Sequence, residues 1–267
     1  MTDESDTTET PLSGGGRTNV VRRGGIVARQ TGPWAPSVHA LLIHLESVGF
    51  EGAPRVVGEG FDDHGREILT YVEGAVIHPA PWSDAAISNL GTMIRRLHDA
   101  TASFRVSDSA IWRSWFGRTI GKPDIIGHCD AGPWNIVSRN GKPVALIDWE
   151  VAGPVNRLTE IAMLTWNNAQ LYDDDVGALV GLPDVAARMR QVRLFTDAYG
   201  LSAAERHQLP YRIIELAAQS AANEVVEHQI APRTEFVPVP GVWGIAWRTR
   251  SVAWLTRNRP ELEAALA

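Results

Sequence analysis

IIGHCDAGPWNIVSRNGKPVALIDWE, residues 125–150, decides how the whole chain is read. It sets His128 two residues before Asp130, Asn135 five residues after that aspartate, and Asp148 at the end of an apolar run. Between the last two stand Asn140 and Gly141, a strong hairpin signal, because a tight turn needs two consecutive residues that accept positive φ. With a plain two-residue turn, Arg139 faces Lys142 and Asn135 faces Leu146. Asp148 is then the diagonal neighbour of Asn135 on one face, about 7–8 Å away; a bulge would shift that register. Two oxygen-bearing side chains at the open end of a hairpin suit Mg²⁺, which takes one or two protein ligands alongside phosphate oxygens. Asp130, one short loop earlier, can face the same site without ligating the ion. There it can accept the proton of an attacking hydroxyl, help worth about 10²–10⁴-fold in rate.

The rest of the chain is read around this segment. Its 267 residues suffice for two lobes about a shared cleft, and 44% hydrophobic with 21% charged residues is ordinary globular composition. No apolar run approaches the roughly 18 residues of a membrane span. The net charge of −6 gathers no basic face, which argues against nucleic acid as a partner. One cysteine, Cys129, excludes an internal disulfide and a cysteine-built zinc site. It reads as a small buried residue. The opening MTDESDTTET is polar and acidic, unlike a signal or transit peptide, so the cytoplasm is the expected location.

Residues 1–12 read as a disordered acidic tail. Two strands, 18–22 and 26–30, follow with Gly24 and Gly25 turning the chain between them. Val38, Leu41, Leu42, Leu45 and Val48 recur at helical spacing after Pro36, and Gly49 stops that helix. Strands at 55–61 and 67–72 flank the turn Asp62, Asp63, His64, Gly65. From Glu73 the pattern becomes helical: Ser83 caps a helix with Ile87, Leu90, Ile94 and Leu97 on one face. Ser202 and Glu205 form a capping-box signature. The division is therefore a β-rich lobe over 13–72 and a larger, mainly helical lobe over 73–267. Asp173, Asp174 and Asp175 read as a solvated loop. Glu215, Glu224 and Glu227 read as a solvated helix face, with an acidic pocket for a polyamine as the alternative.

His-x-Asp-x-x-x-x-Asn followed by Ile-Asp-Trp-Glu resembles the catalytic segment of the aminoglycoside phosphotransferase and choline kinase superfamily, relatives of the protein kinases. Ala152, Gly153 and Pro154 leading to Glu160, Ile161 and Ala162 are similar to that family's Gly-Pro…Asp-Leu-Ala segment, with Glu160 where the aspartate usually stands. The resemblance covers about residues 13–170. It implies an α+β, bilobal kinase-like fold with a small antiparallel-sheet lobe and a larger helical one. Carried over by position, Asp130 is the catalytic base, and Asn135 and Asp148 hold Mg²⁺. His128 belongs to the same catalytic segment, where its expected part is to steady the loop rather than to act as a base. Arg29 takes the place of the lysine that contacts the nucleotide phosphates; the only lysines, Lys122 and Lys142, lie far along the chain. Glu46 on the first helix would be its ion-pair partner. Gly14, Gly15 and Gly16 would cover the phosphates, and the backbone of Tyr71 and Val72, where the lobes meet, would bind adenine.

The expectation is thus an ATP- and Mg²⁺-dependent transferase acting on a hydroxyl of a small molecule: an aminoglycoside-like antibiotic, a sugar or an amino-alcohol. The alternative is a nucleotide-binding pseudokinase, suggested by arginine at position 29 and an irregular glycine loop.

Overall fold

A computed structural model of the protein describes residues 8–12, 20–230 and 242–267. In chain order, β1 (Thr10–Pro11), β2 (Val20–Arg23) and β3 (Ile26–Arg29) are followed by α1 (Ala35–Ser47), β4 (Val56–Phe61) and β5 (Glu67–Thr70). The five strands form one antiparallel sheet in the order β1-β2-β3-β5-β4. Gly24, at φ 56°, turns β2 into β3 in the left-handed conformation that glycine adopts without cost. Helix α1 starts at a proline-bearing first turn, buries Val38, Leu41, Leu42 and Leu45 under the sheet, and gives way to Gly49 at φ 76°.

Part of the span expected to be a disordered tail forms a strand. Thr10 and Pro11 pair with Arg22 and Val21 on the sheet edge, and Glu9 meets Arg66 at 2.6 Å. The open ladder of β2 offers backbone partners, and the arginine offsets the acidic charge.

β6 (Ala75–Val76) follows, then α2 (Asp84–Thr101), β7 (Ile125–Gly127), β8 (Ile136–Arg139), β9 (Lys142–Leu146), β10 (Gly153–Val155) and α3 (Arg157–Asn168). Helices α4 (Asp174–Val180), α5 (Val185–Tyr199), α6 (Ala203–Glu227), α7 (Val242–Arg257) and α8 (Arg259–Leu266) complete the chain. Ser83 caps α2 by accepting from Ala86, and α6 carries the full reciprocal box of Ser202 and Glu205. Ile87, Leu90, Ile94 and Leu97 are all buried. α2 lies close along α5: a Cβ on Gly91 would stand 2.4 Å from the Phe195 carbonyl oxygen. β6 pairs with β8 (Ala75 opposite Ser138), which ties the segment after the small lobe directly to the β8–β9 hairpin. Among the described residues, no helix is long and apolar enough to cross a membrane.

Asp174 and Asp175 are exposed, as expected, but the run of aspartates at 173–175 caps and opens a helix instead of forming a loop. Asp173 caps α4 and pairs with Arg250 at 2.7 Å, while Asp174 accepts from the Trp254 indole at 2.8 Å. These bonds fasten α4 to α7.

Candidate active site

The β8–β9 hairpin forms with Arg139 opposite Lys142, as expected, but its ladder slips between Val137 and Ser138. Val144 is the extra residue, so Ile136, not Asn135, faces Leu146. Asn135 faces Ile147, whose N–H donates to the Asn135 carbonyl at 2.9 Å. The strict-register route to a shared face for Asn135 and Asp148 is therefore corrected. Asp148 instead leaves the ladder by adopting φ 61°, ψ 65°, a left-handed conformation that a non-glycine residue takes only when its surroundings hold it there. The next residue does the holding: Trp149 is fully buried, donates from its indole to the Leu146 carbonyl at 2.9 Å, and packs on the His128 ring at 4.6 Å between centroids.

Asp130 and Asn135 are in direct contact. The Asn135 amide nitrogen donates 2.9 Å bonds to the Asp130 carboxylate and to its backbone carbonyl. That leaves the Asn135 side-chain oxygen as an acceptor. Burial pushes the Asp130 carboxyl up to about 7, with the nearby Asp148 charge adding to the rise and Asn135 opposing it. Burial and Asp148 also raise Glu150, which is paired with Arg113. Three carboxyl groups, Asp130, Asp148 and Glu150, thus lie near enough to feel and oppose each other's charge.

His128 does not join this group. Its side chain is buried, its Nε2 lies 3.0 Å from the Ile147 carbonyl, and its Nδ1 accepts from the Asp130 N–H at 3.2 Å. Burial keeps the imidazole neutral by lowering its pKa. It is a brace between the loop and the strand leading to Asp148.

The loop is held from below by Glu160, completely buried on α3. Its Oε1 accepts from the backbone N–H groups of His128 (2.6 Å) and Cys129 (2.9 Å), and its Oε2 meets His98 at 3.0 Å. His98 continues to the Tyr199 hydroxyl at 2.8 Å. Burial alone would raise the Glu160 pKa, but His98 and these backbone donors outweigh it and hold the carboxylate ionised. Cys129, also left-handed at φ 67°, has a thiol pushed far up by burial, so it is inert packing. Asn168 donates to the Ala131 carbonyl at 2.9 Å, and Arg118 gathers the carbonyls of Val151, Ala152 and Pro154 at 2.5, 3.1 and 2.9 Å. Neither residue carries a motif, so sequence pattern alone passes over both.

From the small lobe Arg29 pairs directly with Asp148. Its other partner corrects the expectation. Glu46 is exposed and sits 3.6 Å from Arg55, whereas Arg29 Nε donates to Glu67 at 2.6 Å. Helical spacing turned Glu46 outward, and a buried carboxylate one strand away took its place. Tyr71 is also reassigned in part: its N–H is spent on the Gly25 carbonyl at 2.8 Å, and the Arg22 guanidinium lies over its ring. The Val72 N–H has no partner among the described residues. Gly14, Gly15 and Gly16 lie outside the described residues.

The late helices hold no cluster of unpaired acids among the described residues. Glu224 is buried against Arg248 at 2.8 Å, Glu215 meets Arg212 at 3.4 Å, and Glu227 accepts from Asn223 at 2.9 Å.

The donor set fits a hard divalent ion. Asn135 keeps its side-chain oxygen as an acceptor, the Asp148 charge is felt at Asp130, and no group of three or more His, Cys, Asp or Glu among the described residues builds an all-protein cage. That is the pattern of an ion held by few protein oxygens and completed by phosphate.

The phosphotransferase enzyme family profile matches residues 107–195. A trifolitoxin immunity protein of Rhizobium leguminosarum bv. trifolii is 53% identical over 257 residues, 96% of this chain and 98% of the relative. Among solved structures, an amicoumacin kinase in complex with AMP-PNP, Ca²⁺ and Ami superposes with a TM-score of 0.66 at 14% identity, over 96% of this chain and 88% of that one. A choline/ethanolamine kinase family protein from Mesorhizobium loti gives 0.59 at 14% identity, over 99% and 94%. By these likenesses this chain belongs to the phosphotransferase enzyme family, and it has the bilobal protein kinase-like fold.

Proposed function

We propose that the protein is an ATP- and Mg²⁺-dependent phosphotransferase that modifies a hydroxyl group of a small molecule. The observation that carries this is the convergence of Asp130, Asn135, Asp148 and Arg29. Asn135 is bonded to Asp130, Arg29 to Asp148, and the Asp148 charge is felt at Asp130.

The acceptor hydroxyl oxygen attacks the γ-phosphorus of ATP, a new P–O bond forms, and the bond to the β-phosphate oxygen breaks to release ADP. Asp130 orients the hydroxyl and accepts its proton; a carboxylate with a pKa near the working pH suits that task. Asn135 holds the Asp130 carboxylate in place through its amide nitrogen. Arg29 presents a permanent positive charge to the phosphates. Mg²⁺ held by Asn135 and Asp148 would neutralise charge developing on the phosphate oxygens.

The relative's name points to the kind of acceptor. That relative is named for immunity to a toxin, and a kinase acts on a hydroxyl, so we take a hydroxyl-bearing toxin or antibiotic as the acceptor. A polycationic acceptor finds little support, since Glu215, Glu224 and Glu227 are already paired.

Incubation with Mg-ATP and a panel of hydroxylated acceptors, trifolitoxin included, should yield phosphorylated product. Asp130→Asn should lower turnover about 10²–10⁴-fold while leaving nucleotide binding intact. Unchanged turnover in that variant would sink the mechanism. Tight nucleotide binding with no transfer to any acceptor would favour a pseudokinase instead, the reading suggested by arginine at position 29.

A further inference from the structure

In protein kinases the phosphate-contacting lysine is held by a glutamate on a movable helix, so the helix's position switches the site on and off. Here the corresponding parts are arranged differently. Arg29 on β3 and Glu67 on β5 stand directly opposite each other in the antiparallel ladder. Arg29 Nε donates to Glu67 Oε2 at 2.6 Å, and the second carboxylate oxygen, Oε1, lies 3.0 Å from His39 Nε2. A carboxylate only accepts, so Nε2 carries the proton. All three side chains are buried, at 7%, 1% and 6% exposure for Arg29, Glu67 and His39. Helix α1 thus contributes a histidine to the cluster, and its acidic residue Glu46 is spent at the surface on Arg55.

The surroundings are shaped for this cluster. β4 loses register with β5 between Val56 and Phe61, and Gly58 and Gly60 within that irregular stretch adopt φ of 57° and 88°. A Cβ on Gly60 would stand 2.4 Å from His39 Nδ1, so the missing side chain makes room for the imidazole. The Phe61 ring packs on the imidazole, 4.9 Å away between centroids. With Nε on Glu67 and Nη1 on Asp148, the Nη2 of Arg29 has no partner among the described residues and can meet a phosphate oxygen.

We propose that Glu67 is the positioning residue for Arg29, with His39 as its outer support, so that the phosphate-binding cation is set by the strand ladder rather than by the orientation of α1. A cross-strand pair moves as one body with the sheet, so the nucleotide site is assembled before ligand arrives. This rests on the phosphotransferase reading, and the two fail differently.

The test measures Mg-AMP-PNP affinity by calorimetry, with KM for ATP and kcat, in Glu67→Gln, Glu67→Asp, His39→Ala and Glu46→Gln. Glu67→Gln should weaken nucleotide binding tenfold or more and raise KM for ATP by a similar factor, with a smaller effect on kcat. Glu67→Asp should recover part of the loss, His39→Ala should weaken binding severalfold, and Glu46→Gln should stay within twofold of wild type. Should Glu67→Gln fail to fold, His39→Ala decides: unchanged affinity there overturns the proposal. Equal affinity in a folded Glu67→Gln, or an equal loss in Glu46→Gln, overturns it as well. If the wild-type protein binds no nucleotide at all, the phosphotransferase reading falls and this inference with it, whereas wild-type binding with an indifferent Glu67→Gln removes the inference alone.

Discussion

Gly127 ends the strand before the catalytic loop, and replacing it with alanine should damage the site through a single contact. The backbone there is outside the left-handed region, so alanine is conformationally acceptable, and shortening the unfolded chain's freedom would by itself stabilise by about 0.4–1 kcal/mol. The new Cβ, however, would lie 1.8 Å from Glu160 Oε2 and 2.7 Å from Oε1. Ordinary contact needs more than about 3 Å, so the carboxylate must retreat by over about 1 Å. Its bonds to the His128 and Cys129 N–H groups, 2.6 and 2.9 Å long, then break. Each buried donor left unpaired costs about 1–3 kcal/mol, so the net loss for the two is about 1–5 kcal/mol against a typical total of about 5–15. Urea denaturation measures it directly. Turnover should fall by about 10²-fold in the folded fraction, since an ångström of misplacement at a catalytic group is enough for that. Gly127→Ala combined with Glu160→Asp should be less destabilised than the sum of the two single changes, because the shorter acid vacates the space the methyl needs. A loss below about 1 kcal/mol with turnover intact would show that Glu160 does not hold the loop.

Two pH effects follow from the same residues. Asp130 is raised from 3.8 to about 7, so the folded state holds an extra proton between those values; stability of the metal-free protein should fall as pH rises through that window, by at most about 4 kcal/mol, and Asp130→Asn should flatten the slope in thermal melts. Parallel profiles for the two proteins would contradict it. Glu160 is lowered from 4.5, so its contribution is complete above that value and is lost as pH falls through its folded pKa; acid titration monitored by circular dichroism should show Glu160→Gln losing less stability below about pH 4.5 than wild type.

Much of the molecule is legible one segment at a time. The periodicity of Val38, Leu41, Leu42 and Leu45 specifies a helix whatever lies beneath it, and that helix runs from Ala35 to Ser47. Asn140 and Gly141 accept the positive φ values of 52° and 72° that their turn requires, so the hairpin forms where the pair stands. Asp130, Asn135 and Asp148 are close in the chain, and any fold that makes this hairpin brings them near one another. The division into a sheet-bearing lobe and a helical one follows from where alternation gives way to helical spacing.

The remaining features depend on partners distant in sequence. Nothing local says that Val144 bulges, or that Asp148 turns left-handed as Trp149 is buried against His128. Glu46 and Glu67 are equally plausible partners for Arg29 on composition, and the choice falls to strand register, which buries Glu67 opposite Arg29 and leaves Glu46 in solvent. The Tyr71 amide, the aspartates at 173–175 and the grip of Glu160 on residues 128 and 129 follow the same rule. Local patterns carry propensity, hydrophobic period and turn chemistry, which are properties of neighbouring residues. Which buried polar group satisfies which other is settled when remote segments meet, because a charge or an N–H removed from water must be paired by whatever the packing brings within about 3 Å.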